Sequence, residues 1–393
     1  MSKTVKSSDL PSVTVDKLPT GEGYHAVHTY YNNCPWNKNM DIFLFSRFKQ
    51  HNDIAEVCFL DLAKGEVTPF ATTSQYCGHD GASQKWINDD RAVIFCASDK
   101  EGRAVAGVYD LETCKTTLYD QFPGYTYFSS SSDGRHITLS EVPLFPGLVS
   151  SPDETFYGKV IIYDRIDDKV VKKLCSEETL EALPEEQRKK IMETSTVFWL
   201  KSPDFNPDLT TVRMGLRGFA RVEGYPDGKM IYYPVNLHFN MKSGQITYNL
   251  KAARYGHAVW VDNHRMLELS DKPGGGGRQL MIRDTRNDTR EVFIETTLSG
   301  AGHPSVSPDG VYLVTDTYTF GEDHTCLETP IYLANMGTRT LSEIACPKHT
   351  WHHTTKLDDG HPHPAWAPNS RQVAYNSNES GQLGVYRMTL QIS

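Results

Sequence analysis

A short pattern of an apolar or small residue, a polar turn and a β-rich strand recurs along the chain. Clear copies read "SSSDGRHITLS" from Ser130, "FNPDLTTVRMG" from Phe205, "VSPDGVYLVTD" from Val306 and "WAPNSRQVAYNS" from Trp366. Weaker copies begin at Trp36, Trp86 and Trp260. Alternating apolar residues after a turn rich in Asp, Asn, Pro and Gly are typical of a β-hairpin. The seven copies follow one another at a spacing of roughly fifty residues, which indicates an internal repeat.

A second hairpin signal lies between copies of the first. The segments "VYDLETCKTTLY", "IYDRIDDKVVKKL", "IRDTRNDTREVF" and "IYLANMGTRTLSEI" each read as strand, polar turn and strand. Each repeat therefore predicts four short antiparallel strands, and seven repeats predict an all-β, seven-bladed β-propeller that spans residues 1–393 as a single domain. A helix-rich stretch at about 176–196 is predicted to be a loop insertion between blades three and four. The alternative is a set of β-sandwich domains with unrelated hairpins.

His257, His303 and His363 occupy the same position of the repeat in three consecutive copies. Equivalent positions of a propeller are related by rotation about its axis, so these side chains are predicted to surround one mouth of the central funnel. His361 lies two residues before the last of them and projects on the same side of a strand, and His79 enters blade two close to the same face. The position three residues before the aligned start of each copy holds Asn33, Ser83, Tyr127, Ser202, His257, His303 and His363.

Converging imidazoles predict a metal site, with manganese, zinc or iron as suitable ions. Asp358 is close enough in sequence to add an oxygen ligand, which would favour a harder ion such as manganese. His352 and His353 are competing ligands. Any single histidine is more often a surface residue or a core residue with its hydrogen bonds satisfied, and the case depends on the repeated position.

The segments "YGHAVW", "GAGHPSVSPDGVYLVTDTY" and "HPHPAWAP" resemble the oligogalacturonate lyases and, more widely, the propeller-type polysaccharide lyases, which include ulvan and rhamnose–glucuronate lyases. The resemblance implies a divalent ion, usually manganese, with zinc or calcium as alternatives. It also implies three histidine ligands, a glutamine three residues before the HxH pair, and a further histidine that acts as base. In this chain the implied ligands are His303, His361 and His363, the implied base is His257, and Asp358 stands where the family has glutamine.

The ulvan-type relatives work instead with His and Tyr near blades two and three. In this chain that region holds His79, Tyr125 and Tyr127. The sequence leaves both arrangements open.

The implied reaction is β-elimination from a 4-linked uronate in an acidic oligosaccharide. It needs a base for the weakly acidic proton at C5 and a cation for the charge that builds up on the carboxylate. Arg217 and Arg221 are candidates because guanidinium matches a carboxylate in shape, and Arg213 is a weaker one. Trp351 is a candidate for stacking on a sugar face. The alternative for these arginines is a solvated strand edge.

Composition restricts the remaining choices. A formal net charge of -9 argues against nucleic acid as a partner. The chain has no run of about 18 apolar residues and no signal-peptide core, so we expect a cytoplasmic protein without a membrane span, unless a leader has been removed. No GxSxG motif is present, so the sequence gives no sign of a serine-hydrolase domain.

The alternative function is a non-catalytic, TolB-like propeller that binds a protein or a sugar. A glycosidase on the same scaffold is a third hypothesis. The oligomeric state is not predicted.

Overall fold

The repeated turn has the same register in almost every copy. Its first residue pairs with the residue seven positions later in six copies, and six positions later in the fifth, where the turn is shorter. The pairs are Trp36↔Phe43, Trp86↔Val93, Ser130↔Ile137, Phe205↔Val212, Trp260↔Met266, Val306↔Leu313 and Trp366↔Val373.

The strands form the seven blades that the sequence predicts, and the predicted fold is confirmed. This computed structural model describes residues 11–49, 52–141, 155–222, 225–249, 257–271, 278–287, 289–296, 298, 302–320, 326–347 and 361–391. The strands of blades one to three and of the closing edge are β1 (Ser12–Lys17), β2 (His25–Val27), β3 (Ile42–Phe48), β4 (Ala55–Asp61), β5 (Glu66–Thr73), β6 (Lys85–Ile87), β7 (Ala92–Ser98), β8 (Ala104–Asp110), β9 (Lys115–Leu118), β10 (Thr126–Ser130), β11 (His136–Ser140), β12 (Phe156–Tyr157), β13 (Lys159–Asp164) and β14 (Lys169–Cys175).

The chain continues through a helical pair into blades four to seven. The helices are α1 (Ser176–Glu181) and α2 (Glu185–Thr194). The strands are β15 (Val197–Phe205), β16 (Thr211–Val222), β17 (Tyr225–Asn240), β18 (Ile246–Asn249), β19 (Ala258–Trp260), β20 (Arg265–Asp271), β21 (Arg278–Asp284), β22 (Thr289–Ile294), β23 (Ser305–Val306), β24 (Tyr312–Asp316), β25 (Thr319–Phe320), β26 (Cys326–Glu328), β27 (Ile331–Asn335), β28 (Thr340–Ala345), β29 (Ala365–Trp366), β30 (Gln372–Ser377) and β31 (Gly384–Gln391).

Each blade is a four-stranded antiparallel sheet in chain order, with three local departures. The short strand β12 joins the sheet of blade four by pairing parallel to β15, and β25 and β26 form a separate small hairpin inside blade six. The first strand of the chain, β1, supplies the outer strand of blade seven by pairing antiparallel to β31, from Ser12↔Gln391 to Lys17↔Tyr386. Both ends of the described chain therefore lie in one sheet, which closes the ring of blades.

The helical insertion lies where the sequence predicts it. Leu180, Leu183 and Ile191 bury their side chains in the core between blades three and four, so the insertion packs on the ring as part of that core. None of the helices in the part of the chain that the structure describes has the length and apolar character needed to cross a membrane.

Apolar side chains fill six of the seven interfaces between neighbouring blades, among the described residues. The interface between blades four and five differs. Arg213 and Arg217 project from β16 on the face opposite to Val212, Met214 and Leu216, because successive residues of a strand alternate. Across from them, β20 and β21 place a buried ion pair in which Arg283 Nη2 lies 3.0 Å from Glu268 Oε1.

Candidate metal centre and active site

The three histidines at the equivalent position lie side by side. The ring centroids of His257 and His303 are 4.2 Å apart, and those of His303 and His363 are 4.3 Å apart. The ring of His361 stacks on that of His363 with 5.4 Å between centroids. These residues precede the innermost strands β19, β23 and β29, so the repeat of the sequence becomes a contiguous row of imidazoles across blades five, six and seven.

A fifth histidine, His79, reaches this row from the loop between β5 and β6. An isolated antiparallel β-bridge, formed by backbone hydrogen bonds between Cys77 and Gly81, closes a tight turn around His79. His79 Nδ1 lies 2.7 Å from His361 Nδ1, and its Nε2 lies 3.6 Å from a carboxylate oxygen of Asp80. The structure therefore brings together histidines from two blades that are not neighbours in the ring.

Three of these histidines converge closely enough to share one ion. The ligand atoms of His79, His361 and His363 all lie within 4.8 Å of one another, and this set does not include His303. His79, predicted from sequence as a catalytic residue, is thus a member of the candidate ligand set. The fit to a cation is supported by His363, which is fully buried although neither ring nitrogen has a hydrogen-bond partner among the described residues. Burial and the neighbouring histidines lower the pKa of His363 well below its ordinary value, which keeps a lone pair for a metal.

The backbone holds His363 in a rarely used conformation. Its φ is 48°, in the left-handed region, and the equivalent Ser83 and Ser202 of blades two and four adopt the same region with φ of 51° and 58°. Non-glycine residues adopt this region seldom and mostly where surrounding contacts enforce it. The shared conformation shows that the entry to the innermost strand is built alike in these blades.

Asp316, the last residue of β24, lies directly behind the row. Its carboxylate oxygens lie 2.8 and 2.9 Å from His303 Nδ1. The backbone N–H groups of His303 and His363 donate to the same carboxylate at 2.7 and 3.2 Å. Burial raises the pKa of Asp316 to about 7, while His361 and the two backbone donors act in the opposite direction.

His257 is arranged as a neutral acceptor. Its Nδ1 donates to the carbonyl oxygen of Gly302 at 3.1 Å, so Nε2 carries the lone pair of the neutral ring. Burial, followed by the charge of His303 and of more distant cations, lowers the pKa of His257 well below its ordinary value. A neutral imidazole with a fixed tautomer is the form that a general base needs.

A pocket beside His257 carries positive charge. Two arginines, a lysine and one carboxylate line it, together with two tyrosines of the blade-one entry loop. Its lining residues are Tyr30, Tyr31, Asn32, Lys201, Ser202, Asp204, Arg213, Arg217, His257 and Ala258.

Both arginines of this pocket are almost fully buried, with 2% of their surface exposed. This excludes the solvated strand edge that was the alternative for Arg217. Burial lowers the pKa of Arg213 to about 9, against the opposing influence of Glu268 and Asp204. Arg213 was the weaker candidate from sequence, yet it lies in the same pocket as Arg217 because the two alternate positions of β16 share a face.

Tyr30 connects the pocket to the histidine row. Its half-buried ring lies 4.7 Å from that of His363 and 6.0 Å from that of His257, measured between centroids. The preceding residue, Thr29, has a φ of 111°, which is unusual for a β-branched side chain. Sequence reasoning missed Tyr30, and the pair "YY" before the weak copy at Trp36 was the only signal available.

The remaining predicted residues fall elsewhere or outside the described residues. Tyr127 is buried in the core between blades two and three, with its hydroxyl donating to Ser130 Oγ at 3.4 Å, and Tyr125 packs against that core. The structure gives no support to a role for either at the histidine row. Asp358, Trp351, His352 and His353 lie outside the described residues, and of Arg221 only the position in β16 is described.

Comparison with solved structures finds the same fold over the whole chain. An oligogalacturonate lyase in complex with manganese superposes with a TM-score of 0.67 at 17% identity, covering 99% of this chain and 98% of that one. The oligogalacturonate lyase of Vibrio parahaemolyticus gives a TM-score of 0.67 at 15% identity, with coverages of 97% and 98%. The fold is that of the oligogalacturonate lyases. The propeller domain of the Trilobed protease from Pyrococcus furiosus is less similar, with a TM-score of 0.55 at 12% identity and coverages of 93% and 98%. No protein-family model and no curated protein sequence matches this chain.

Proposed function

We propose that the protein is a metal-assisted lyase that cleaves a 4-linked uronate in an acidic oligosaccharide by β-elimination. The observation that carries the proposal is the position of His257, a neutral imidazole that lines one pocket with Arg213 and Arg217 and contacts the histidine row. A base, a carboxylate-binding cation pair and a candidate metal set are the groups that this elimination requires.

The reaction assigns a separate task to each group. The arginines bind the uronate carboxylate and orient the sugar so that C5 faces His257. Nε2 of His257 takes the proton from C5, the C5–H electrons form the C4–C5 double bond, and the bond from C4 to the linking oxygen breaks. That oxygen leaves with the rest of the chain and acquires a proton. No covalent bond to the protein forms at any stage.

The histidine set constrains the ion. His79, His361 and His363, with His303 beside them, would hold a divalent cation, and this ion would supply positive charge that stabilises negative charge on the uronate carboxylate. Imidazole nitrogen suits manganese or zinc, whereas calcium takes oxygen ligands, so the described ligands favour the first two ions. Manganese also occurs in the complex of the structurally similar lyase.

The partner follows from the charges. The pocket concentrates three cations beside one carboxylate although the whole chain has a formal net charge of -9. A local positive pocket on an acidic protein selects a small anionic ligand and disfavours a long polyanion such as nucleic acid. We therefore propose oligosaccharides that carry uronate as the substrate class.

The test is the ultraviolet absorbance of the unsaturated uronate product, measured against a panel of uronate oligosaccharides. We expect absorbance to rise with at least one substrate, and to stay flat with the His257→Gln variant. The matched control is His264→Gln, because His264 lies on an exposed turn of the same blade. A flat trace with the parent protein on every substrate, metal-loaded, would reject the lyase and favour a propeller that only binds its partner.

A further inference from the structure

One carboxylate in the structure connects two of the histidines through three separate donors. Asp316 accepts from the ring Nδ1 of His303, from the backbone N–H of His303 and from the backbone N–H of His363. The residue is completely buried, with no exposed surface. A buried carboxylate is costly unless its oxygens are hydrogen-bonded, and here both oxygens are used.

The contact to the ring decides which nitrogen of His303 carries the proton. Backbone N–H groups donate to both oxygens of Asp316, which favours its ionised form, and an ionised carboxylate only accepts, so Nδ1 is then the protonated nitrogen of a neutral His303. The lone pair then lies on Nε2, on the side of the ring turned away from Asp316. Metal-binding histidines are commonly fixed in this way by a carboxylate on their second nitrogen, which also makes the ligand more basic.

The third hydrogen bond to Asp316 comes from the backbone of His363, which belongs to blade seven. The N–H of His363 donates to the second oxygen, and this residue has the left-handed φ of 48°. Such a conformation is unfavourable for a residue with a side chain and persists only where contacts enforce it. Asp316 provides one of these contacts. It therefore fixes both the backbone from which the His363 ring projects and the orientation of the His303 ring.

The surrounding chain leaves little freedom for this arrangement to relax. A Cβ on Gly302 would lie 2.3 Å from the backbone oxygen of Asp316 and 2.8 Å from Thr315 Oγ1. The segment that carries His303 therefore packs against the end of β24 at a distance that only glycine allows. The carboxylate and the two histidines form one hydrogen-bonded unit that crosses from blade six to blade seven.

We propose that Asp316 is the positioning residue of the metal centre, which sets the backbone of His363, a member of the candidate ligand set, and the tautomer of His303, whose ring lies beside that set. This role rests on the proposed function, because it presumes that the histidines bind a metal. It also explains why an acid is needed. An asparagine offers a single acceptor oxygen, and its amide hydrogens would face one of the three N–H donors.

The experiment measures metal affinity with the full chain and three proteins: the parent, Asp316→Asn and Asp164→Asn. Asp164 is the matched control because it is also a buried aspartate at the end of a strand, here β13 of blade three, and accepts from backbone N–H groups outside the histidine row of blades five to seven. Titration of metal-free protein with manganese or zinc gives the affinity. The spectrum of the cobalt-substituted protein reports the ligand geometry, which a purely structural role would not alter.

We expect Asp316→Asn to weaken metal binding about 10- to 100-fold and to change the cobalt spectrum, with Asp164→Asn unchanged. Equal affinity and an identical spectrum for Asp316→Asn and the parent would overturn the role of Asp316 while leaving the lyase intact. Absence of metal binding by the parent protein would instead reject the metal centre itself.

A second measurement keeps the test decisive if Asp316→Asn does not fold. Nitrogen-edited NMR of the parent protein, with its His303 signal assigned by loss in His303→Gln, reports the tautomer directly. A protonated Nδ1 in the metal-free and the metal-loaded protein supports the inference. A His303 ring protonated at Nε2 would contradict it.

Discussion

The histidine set predicts a specific change in thermal stability when His363 is replaced by leucine. In the metal-free protein, leucine removes two buried nitrogens without hydrogen-bond partners among the described residues and leaves a small void. These two effects have opposite signs and are each on the order of 1–3 kcal/mol, so we expect little net change. In the metal-loaded protein, leucine removes a ligand, and the stabilisation by metal is lost.

The magnitude follows from linkage between binding and unfolding. A metal present at about 100 times its dissociation constant stabilises the folded state by about 2.7 kcal/mol, if it does not bind the unfolded chain. The unfolding entropy is about 2.1 cal/mol/K per residue, which for 393 residues is about 0.8 kcal/mol/K. The parent protein should therefore gain about 3 °C in Tm on adding metal, and His363→Leu should gain none.

Calorimetric melting with and without metal provides the assay. The control variant is His264→Leu, which removes a histidine from an exposed turn and should keep the full shift. A shift of about 3 °C in His363→Leu would refute the assignment of His363 as a ligand. A metal-free His363→Leu protein much less stable than the parent would show that the ring already has a partner that compensates its burial.

Three further changes test other parts of the structure. His257→Gln should lower kcat by a factor on the order of 10² to 10⁴ while metal content, measured by elemental analysis, stays at the parent level. Gly302→Ala should cost about 1–3 kcal/mol in urea unfolding, because its Cβ would overlap the backbone of Asp316, and an unchanged midpoint would contradict that packing. Burial disfavours the charged form of Asp164, but hydrogen bonds from Arg135 and nearby backbone lower its pKa to about 2. Since the folded pKa lies below the ordinary 3.8, this carboxylate stabilises the fold above pH 3.8 and the effect is lost as pH falls through about 2; Asp164→Asn should thus be less stable at pH 7 and match the parent near pH 2.

The propeller could be predicted from the sequence because its turns repeat with a fixed register. Pairing of residue i with i+7, as in Trp86↔Val93 and Trp366↔Val373, depends only on the turn between two adjacent strands. Once the turns are aligned, His257, His303 and His363 become equivalent without any knowledge of long-range contacts. Local geometry and rotational symmetry together bring these three residues to one place.

The rest of the centre depends on contacts that no repeat encodes. His79 precedes its blade in a loop, and only the closed ring brings its Nδ1 to 2.7 Å from that of His361. Asp316 reads in the sequence as the ordinary end of the strand "YLVTD". Its proposed positioning role can be inferred only from the fold, in which the turn that carries His303 folds back on β24 and the next blade presents the N–H of His363.

The interface between blades four and five gives an independent reason to place the active site there. Six interfaces of the ring are filled by apolar clusters among the described residues, whereas this one buries Arg213 and Arg217 opposite Glu268 and Arg283. Buried charges contribute less to stability than apolar packing of the same volume, because their desolvation offsets most of the attraction. A ring that needed only stability would repeat its apolar interface a seventh time. Among the described residues, the interface that departs from the pattern is the one that lines the pocket beside His257, which supports the proposal that its cations bind an anion next to the proposed base.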